Sequence, residues 1–455
     1  MHLSVPLCSV DLDPASGIVR RGWLVVSPEK TSVVSVPGSQ PVAPASEVLR
    51  TREQAEAYVA SVCFKHGPPR LLGVELEWLL ARPSGSPPLD LATLATALGP
   101  HTPITVDPRS PALPLPSGSL VTVEPGGQVE LASPPLPDLG SLFDLVETDI
   151  AALHTRLRDH ELYPRPSAAD ADEPPRRLLS IPRYCAMEAA FDRFGPYGRS
   201  MMCSTAAVQP CLDLGERSDL SMRWTLLHAV GPVLVAAFAN SPMLHGRRTG
   251  WKSSRLACWW ALDPPRTAPP DLTIADPALG YADRVMDAQL LCLRRGEESW
   301  DAPPGVSFAD WVDGALPEPP TTADLDLHLT TMFPPVRPHG HLEVRYIDAQ
   351  PGAEWVVPVA VLAALLSNPV AAGAALEGCL PVADRWSQAA RVGLEDAELA
   401  RAAATVFTLA GEALPALVAG GPVEQLFERV LARVLAGRCP ADDPVPPLDR
   451  PGVSS

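Results

Sequence analysis

The sequence predicts an α+β protein whose main part is a single large domain, and two kinds of pattern indicate this class. Short apolar segments with charged residues at alternate positions, as in residues 73–78, 120–131 and 341–346, are typical of strands with one polar face. Longer segments with apolar residues three or four apart lie between them. Residues 352–437 are an Ala-, Leu- and Val-rich helical region. A chain of 455 residues can bury a large core.

The expected domain boundaries follow from composition. Residues 1–45 are rich in Ser, Pro and Val and show no lasting period, so we expect a poorly ordered N-terminal extension with one hairpin around residues 22–26. Residues 441–455 are Pro-rich, and we expect a disordered tail there. This leaves residues 46–440 as one domain, in which we find no internal repeat.

Helix and strand signals place the elements of this domain in order. The first helix is expected to begin at Thr51, because Thr51 and Gln54 form a capping-box pattern, and to end at the Gly and Pro residues of 67–69. The other expected helices are residues 87–97, 139–160, 220–238 and 281–293, a short segment within 299–314, and a helix capped at 322–324 that ends at 333–335. The expected strands are residues 73–78, 103–106, 120–124, 128–131, 200–215 and 341–346, with loops at 107–118 and 163–176.

Charge and composition exclude several classes of function. The formal net charge is −17, which argues against nucleic acid as a partner because phosphate-binding surfaces need clustered Lys and Arg. No apolar run approaches the ~18 residues of a membrane span, and the start of the chain lacks a secretion signal pattern. The nine cysteines form no C-x-x-C pair, so neither a zinc site nor a disulfide framework is indicated. We therefore expect a cytoplasmic protein with no membrane association and no obligate protein partner.

The segment GVELEW (73–78) carries two carboxylates at strand spacing. Side chains alternate along a strand, so Glu75 and Glu77 point to one face while Val74, Leu76 and Trp78 point to the other. Two like charges side by side are unfavourable unless a cation lies between them. Oxygen ligands of this kind suit Mg²⁺ or Mn²⁺. The alternative is a solvated edge strand with two surface glutamates.

Two further acidic sets lie on predicted strands. Glu124 and Glu130 occupy the two arms of a hairpin around Pro125-Gly126-Gly127, and Glu343 shares a strand face with Arg345. A sheet face with five glutamates needs bound cations. Metal ions that neutralise phosphates, and a guanidinium that holds the moving group, are what phosphoryl transfer from Mg·ATP requires. The alternative for Glu343 and Arg345 is an ion pair on an exposed strand.

Seven ordered segments resemble the glutamate–cysteine ligase family of plants and many bacteria, and in particular its actinobacterial branch, which opens the ergothioneine pathway. The resemblance covers roughly residues 50–430. The segments are GVELEW, TVEPGGQVEL, MMCSTAAVQ, FANSP, GWKSSR, TTADLDLHLTTMFPPVR and HLEVRYID.

This resemblance implies a fold like the catalytic domain of glutamine synthetase, with a curved, mostly antiparallel sheet that forms a funnel and helices packed outside. It also implies ATP-dependent joining of the γ-carboxyl of L-glutamate to the amine of L-cysteine through a γ-glutamyl phosphate. The expected substrates are L-glutamate, L-cysteine and ATP, with Mg²⁺ or Mn²⁺ as cofactor. No nucleophilic side chain is needed for this chemistry, in agreement with the absence of a convincing Ser-His-Asp or Cys-His set.

The resemblance also implies roles for individual residues. Arg345 would hold the transferred phosphoryl group, and Arg255 would clamp the α-carboxylate of glutamate, although Arg255 could instead cap a helix. The implied metal ligands are Glu75, Glu77, Glu124, Glu130 and Glu343.

Three more residues are candidates for substrate contacts, and Gln209 and His328 each have a structural alternative. Gln209 would hydrogen-bond substrate or be a satisfied buried amide. His328, one turn from Asp324, would contact substrate or make a structural hydrogen bond. Trp251 would form a pocket wall. Pro210 interrupts the strand pattern at 208–214, which implies an edge or a bulge there.

Two rival functions remain open from the sequence. A ligase of the same fold could join glutamate to another amine, because short motifs do not report the shape of the amine pocket. A catalytically silent relative could bind glutamate or nucleotide, and the loss of a metal-binding glutamate would be its sign. No such loss is present.

Overall fold

The computed structural model describes residues 46–296, 299–418 and 420–443, together with the backbone of residues 9–13 and 18–22. The latter two segments pair as an antiparallel hairpin, which lies earlier in the chain than the hairpin expected around residues 22–26. The rest of the expected N-terminal extension, and residues 444–455 of the expected tail, lie outside the described residues.

The helices and strands are as follows. The strands are β1 Ser9–Asp13, β2 Ile18–Gly22, β3 Leu72–Trp78, β4 Leu80–Ala81, β5 Leu120–Val123, β6 Val129–Ala132, β7 Tyr163–Pro164, β8 Ala207–Leu212, β9 Met243–Leu244, β10 Arg247–Arg248, β11 Val336–Pro338, β12 Leu342–Val344 and β13 Ile347–Asp348. The helices are α1 Arg52–Cys63, α2 Leu91–Leu98, α3 Leu139–Asp159, α4 Pro182–Phe191, α5 Tyr197–Cys203, α6 Leu220–Ala229, α7 Gly231–Phe238, α8 Ser254–Trp260, α9 Pro264–Thr267, α10 Pro277–Asp287, α11 Phe308–Val312, α12 Thr322–Leu329, α13 Val356–Ser367, α14 Pro369–Cys379, α15 Trp386–Val392, α16 Ala397–Ala413 and α17 Pro422–Leu435.

The centre of the fold is an open seven-stranded sheet. Its strand order is β11-β12-β8-β3-β6-β5, with β13 also paired to β8, and every pairing in it is antiparallel. Helices pack against this sheet, and α13, whose residues 356–365 are all buried, contacts both β8 and helix α16. The α+β class with a mostly antiparallel sheet is therefore confirmed.

Local signals in the sequence located most elements correctly. Thr51 is the N-cap of α1 and its hydroxyl accepts a hydrogen bond from the Gln54 amide at 3.3 Å. The side chain of Gln54 accepts from the Arg50 amide instead of closing a box on Thr51. The hairpin of β5 and β6, the long helix α3 and the helical region after residue 352 also lie where they were expected.

Several expected elements were wrong in type or extent, among them the helix expected to end at 333–335, which ends at Leu329. Residues 103–106 form a turn, in which the Val106 amide donates to the carbonyl of Pro103 at 2.9 Å. The expected strand 200–215 begins as the end of helix α5, and only Ala207–Leu212 is a strand. The expected helix 281–293 ends at Asp287, after which Leu290 and Leu293 make bridge hydrogen bonds to residues 306 and 300.

Pro210 lies in the central strand β8, not at an edge. Strand β3 pairs along one side of β8. On the other side β12 pairs with residues 211–212 and β13 with residues 207–208, so the ladder is interrupted at 209–210. A proline without an N–H group is tolerated where a ladder is interrupted.

The apolar segment Leu220–Phe238 has the length and hydropathy of a membrane span, but 83% of its most apolar window is buried inside the protein. The segment divides into α6 and α7 at Val230, and Gly231-Pro232 begins α7. Such burial is typical of a core helix, and a helix that is apolar all round must be covered on all sides.

Gly231, next to this junction, lies where the core is tightly packed. A Cβ atom at Gly231 would lie 2.0 Å from Trp386, whose ring is itself held in edge contacts with Tyr346 and Trp260. We expect Gly231→Ala to lower the free energy of unfolding by about 1–3 kcal/mol because the ring has no room to move. Urea denaturation would measure this.

Gly373 is the matched control. It lies on an exposed face of α14, where a Cβ atom would meet no other atom within 4 Å. Gly373→Ala should therefore raise the unfolding free energy by about 0.5–1 kcal/mol. Equal effects of the two substitutions would contradict the tight contact at Gly231.

Candidate active site

Strand register brings most of the predicted acidic residues to one face of the sheet. Residues directly opposite each other on neighbouring strands share a face. Glu77 on β3 lies opposite Glu130 on β6, which lies opposite Thr122 on β5. Glu75 lies opposite Gln209 on β8. These side chains therefore form one continuous polar surface, as the alternation in the sequence predicted for each strand alone.

The turn between β5 and β6 is fastened to helix α5. Glu124 follows β5, and its amide and carbonyl make hydrogen bonds of 2.8 and 2.9 Å within the turn. The buried amide group of Gln128 accepts from Gly126 at 2.9 Å and donates to the carbonyls of Met202 and Thr205 at 3.2 and 3.0 Å. These three bonds fix the position of Glu124 relative to α5.

Gly126 is required in this turn for a steric reason and not because of a positive φ. A Cβ atom there would lie 2.3 Å from the backbone oxygen of Cys203. The turn and the end of α5 therefore pack backbone against backbone, which no other residue type allows.

Glu77 is held on both carboxylate oxygens. The Ala207 amide donates to one at 2.9 Å, and the side-chain amide of Gln209 donates to the other at 2.7 Å. Burial, and next the negative charges of Glu130 and Glu124, raise the pKa of Glu77 to about 8. The carboxylate is thus rigidly placed but electrostatically unfavourable, which is the situation that a bound cation relieves.

The fit of a divalent cation to this surface rests on donor chemistry. Carboxylate oxygens are the ligands that Mg²⁺ and Mn²⁺ prefer, and each oxygen of Glu77 keeps a further lone pair beyond the hydrogen bond that it accepts. Within the described part of the chain, no three His, Cys, Asp or Glu side chains are already grouped as metal ligands. The acidic face therefore has suitable donors without a preformed ligand cage.

Glu343 is bound by two arginines. Arg337 donates to it through Nε at 3.0 Å and Nη2 at 2.8 Å, and Arg345 donates to it through Nη1. Burial opposes ionisation of Glu343, but the charges of Arg337 and Arg345 outweigh it and hold the pKa well below its ordinary value. This arrangement differs from the predicted role as a metal ligand, because two guanidinium groups already compensate the charge of Glu343, whereas the partners of Glu77 are neutral amides.

Arg255 is supported by a buried polar network around Asp348. The carboxylate of Asp348 accepts hydrogen bonds from the Asn240 amide at 2.9 Å, the Ser241 hydroxyl at 2.8 Å and the Ser253 hydroxyl at 2.9 Å. It also forms an ion pair of 3.6 Å with Arg255. The network joins FANSP, GWKSSR and HLEVRYID, three segments that are distant in sequence.

Trp259 brings the two arginines together. The guanidinium carbon of Arg255 lies 4.8 Å from the Trp259 ring centroid, and that of Arg345 lies 5.3 Å away. Nη1 of Arg255, Nε of Arg345 and Nε1 of Trp259 are buried and have no hydrogen-bond partner among the residues that the structure describes. Buried donors of this kind favour an anionic ligand.

Several of these groups line one open cleft, which we call the sheet cleft. Its empty volume is about 540 Å³ when the open solvent at its mouth is included. Four predicted site residues line it, and Glu130 and Gln209 adjoin it through Glu77. Its lining residues are Glu77, Glu124, Pro125, Gln128, Arg183, Tyr184, Met187, Met201, Met202, Thr205, Arg255, Trp259, Phe333 and Arg345.

Six predicted residues do not line the sheet cleft; besides Glu130, Gln209 and Glu343, which contact or neighbour lining residues, they are Glu75, Trp251 and His328. Glu75 lies on the same sheet face, beyond the lining residues. Trp251 is partly buried against the main core, and its amide binds the Thr249 hydroxyl. His328 is buried, binds the Val285 carbonyl through Nε2 at 2.9 Å, and burial lowers its pKa to about 3. The structure therefore favours the structural alternative for His328.

Sequence reasoning missed several residues of the site. Three of them lie inside the segments that carried the family resemblance: Asp348, Arg337 and Gln128. Each is a charged or amide residue within an apolar, strand-like segment, and this pattern could have marked it as a site candidate. Trp259 and Arg183 lie outside those segments, and no local pattern marked them.

The family comparison matches most of the chain. Residues 71–445 match the model of glutamate-cysteine ligase family 2 (GCS2). The glutamate–cysteine ligase EgtA of Mycolicibacterium smegmatis is 39% identical over 403 residues, which is 86% of this chain and 90% of that protein. The glutamate–cysteine ligase EgtA of Mycobacterium tuberculosis (strain H37Rv) is 39% identical over 338 residues, or 72% of this chain and 77% of that protein.

Among solved structures, the glutamate–cysteine ligase of Francisella tularensis in complex with AMP matches with a TM-score of 0.45 and 13% identity, covering 83% of this chain and 84% of that one. The sequence relatives decide the assignment, because the family match and the alignment to the Mycolicibacterium protein both span most of the chain. The chain belongs to glutamate–cysteine ligase family 2.

Proposed function

We propose that this chain is a cytoplasmic enzyme that joins the γ-carboxyl of L-glutamate to the amine of L-cysteine at the expense of ATP, and so supplies γ-L-glutamyl-L-cysteine for ergothioneine biosynthesis. Membership of the family and the 39% identical relative named glutamate–cysteine ligase EgtA support the activity. The observation that carries it in this chain is the sheet cleft, where carboxylates and guanidinium groups face the same space.

The chemistry requires two steps. A carboxylate is a poor acyl donor, so the γ-carboxylate of glutamate first attacks the γ-phosphorus of ATP and releases ADP. The amine of cysteine then attacks the acyl carbon, inorganic phosphate leaves, and the nitrogen loses a proton. Neither step needs a nucleophilic side chain, so the protein contributes position and electrostatic stabilisation.

The acidic face is proposed to hold the divalent cation that accompanies ATP. Glu77, Glu124 and Glu130 would be the ligands, and Glu75 lies on the same face close to them. When bound, Mg²⁺ or Mn²⁺ would neutralise phosphate oxygens and the repulsion that raises the pKa of Glu77. The hydrogen bonds of Gln209 and Ala207 to Glu77 would keep that carboxylate oriented.

Arg345 is proposed to hold the phosphoryl group during transfer. Its Nη1 atom is bound to Glu343, whereas its Nε atom is buried and has no hydrogen-bond partner within the described ranges. Glu343, itself held by Arg337, would orient this guanidinium and maintain its charge. We therefore assign Glu343 to positioning Arg345 instead of metal ligation.

Arg255 is proposed to bind the α-carboxylate of glutamate. Asp348 orients its guanidinium from one side, Trp259 packs against it, and Nη2 donates to the Arg345 carbonyl at 2.6 Å. Nη1 is the atom that lies 3.6 Å from Asp348, and because it makes no hydrogen bond within the described residues it could still donate to substrate. The apolar side chains of Met187, Met201 and Phe333 line the rest of the sheet cleft and would shield the acyl phosphate from water.

The proposed function is tested by ADP release with Mg²⁺ and ATP, comparing glutamate alone, glutamate with cysteine, and glutamate with a panel of other amines. We expect cysteine-dependent ADP release and γ-glutamylcysteine by mass spectrometry. ADP release only with another amine would replace the named product while leaving the ligase chemistry. No ADP under any condition would favour the catalytically silent alternative.

Glu77→Gln and Glu343→Gln distinguish a metal ligand from a positioning residue. We expect both substitutions to reduce kcat by at least about 100-fold, since Glu77 would hold the cation and Glu343 would orient Arg345, and both the cation and Arg345 act on the transferred phosphoryl. Only Glu77→Gln should raise the Mg²⁺ concentration for half-maximal activity, because Glu343 would not touch the cation. A steady-state Mg²⁺ titration measures this, and an equal rise in both variants would restore Glu343 as a ligand.

Arg255→Lys tests the carboxylate clamp. We expect the KM for glutamate to rise about 10- to 100-fold with little change in the KM for ATP, because lysine keeps the charge but loses the forked geometry. Arg223→Lys is the matched control, since Arg223 is also buried and donates to a carbonyl, that of Asp213, away from the sheet cleft. Equal increases in both KM values in the Arg255 variant would contradict the clamp.

A further inference from the structure

The sheet cleft contains a third guanidinium, that of Arg183, to which the proposed mechanism gives no role. Arg183 lies in the first turn of α4, and its guanidinium carbon is 5.3 Å from the ring centroid of Tyr184. Its Nη2 atom donates to the Thr330 carbonyl at 2.8 Å. Its Nε atom is buried with no hydrogen-bond partner in the part of the chain that the structure describes.

Arg183 differs from the other two arginines of the cleft in its charge balance. Arg255 has Asp348 as a partner and Arg345 has Glu343. Arg183 forms no ion pair with any residue in ranges 46–296, 299–418 and 420–443. A guanidinium without a carboxylate partner in a partly apolar cleft is unfavourable, so an anionic ligand would be stabilising.

The structural alternative is that Arg183 only caps helix α12, because Thr330 is the C-cap residue of that helix. This bond occupies one of the five N–H donors of the side chain. Other arginines among the described residues, such as Arg223, also have a buried Nε atom without a partner, so what distinguishes Arg183 is its place in the cleft and its lack of an ion pair there.

The anionic groups of the proposed reaction outnumber the arginines already assigned. The α-carboxylate of glutamate is proposed to bind Arg255, and the transferred phosphoryl group is proposed to bind Arg345. If the attacking amine belongs to an amino acid, its own carboxylate is a third anion that must lie near the acyl carbon. Arg183 is the remaining guanidinium that lines the cleft within the described residues.

The surroundings of Arg183 suit the side chain of a small amino acid. Met187 lies one helical turn further along α4, and Met202 and Phe333 line the same cleft. Thioether and aromatic surfaces are polarizable and accommodate a short apolar or thiol side chain. A charged donor beside a soft apolar wall matches a carboxylate and a thiol on one molecule.

We propose that Arg183 binds the carboxylate of the amine substrate and thereby makes the enzyme select α-amino acids over amines that lack a carboxylate. This inference rests on the proposed function, because it names the recognition of the second substrate in the same cleft. The forked guanidinium would hold that carboxylate through two parallel hydrogen bonds.

The test compares cysteine with cysteamine, which has the same thiol and amine but no carboxylate, at saturating glutamate, ATP and Mg²⁺. We expect Arg183→Gln to raise the KM for cysteine about 10- to 100-fold, the size of a lost charge-assisted hydrogen bond. The kcat/KM for cysteamine should be low in the unsubstituted enzyme and unchanged in the variant. The preference for cysteine over cysteamine should therefore collapse. Arg183→Lys, which keeps the charge, should retain part of it.

Arg193→Gln is the matched control, since Arg193 follows α4 and also donates to one carbonyl, that of Ala302 at 3.3 Å, outside the cleft. It should leave the cysteine preference unchanged.

A higher KM for glutamate or ATP in Arg183→Gln, an equal loss with cysteine and cysteamine, or no change would each overturn the proposal. If Arg183→Gln does not fold, the KM values of Arg183→Lys decide in the same way. Absence of cysteine-dependent ADP release in the unsubstituted enzyme would identify failure of the proposed function itself.

Discussion

The structure depends on keeping several carboxylates close together on one partly buried sheet face. Glu77 and Glu130 lie directly opposite each other on neighbouring strands, and Glu124 adds a third negative charge nearby. Burial and the neighbouring negative charges raise the pKa of Glu77, and in the proposed function a divalent cation would relieve this repulsion. Hydrogen bonds to Glu77 and within the turn after Glu124 therefore keep these carboxylates close together, although their charges repel each other.

Two arginines of the cleft, unlike the carboxylates, each have a partner of opposite charge. Each of the two that face the acidic surface is backed by a buried carboxylate, Asp348 behind Arg255 and Glu343 behind Arg345. A buried ion pair contributes little net stability, but removing one partner leaves an uncompensated charge and is strongly unfavourable. Such pairs are best understood as fixing the direction of each guanidinium, so that the remaining donors point to where phosphate and carboxylate groups would bind.

Prediction from sequence succeeded where a local period carries the information. Alternation along β3 placed Glu75 and Glu77 on one face, and the turn residues 125–127 located the hairpin that carries Glu124 and Glu130. Prediction failed where contacts between distant segments decide the outcome. Residues 200–206 lack a strong period, and their packing on the hairpin turn places them at a helix end. His328 lies on the expected helix, but its environment is set by Val285 and Phe308, which no spacing in the sequence relates to it.

The sequence by itself determined the family, the antiparallel α+β class and the residue types needed for transfer of a phosphoryl group, because these depend on local periods and on segments read in order. Only the tertiary structure decided which residues share the cleft and what each one faces. It joined Asp348 to Arg255, gave both oxygens of Glu343 to arginines, and left Arg183 without a carboxylate partner among the described residues. The physical reason is that a charge takes its role from the neighbours that burial brings to it, and those neighbours come from remote parts of the chain.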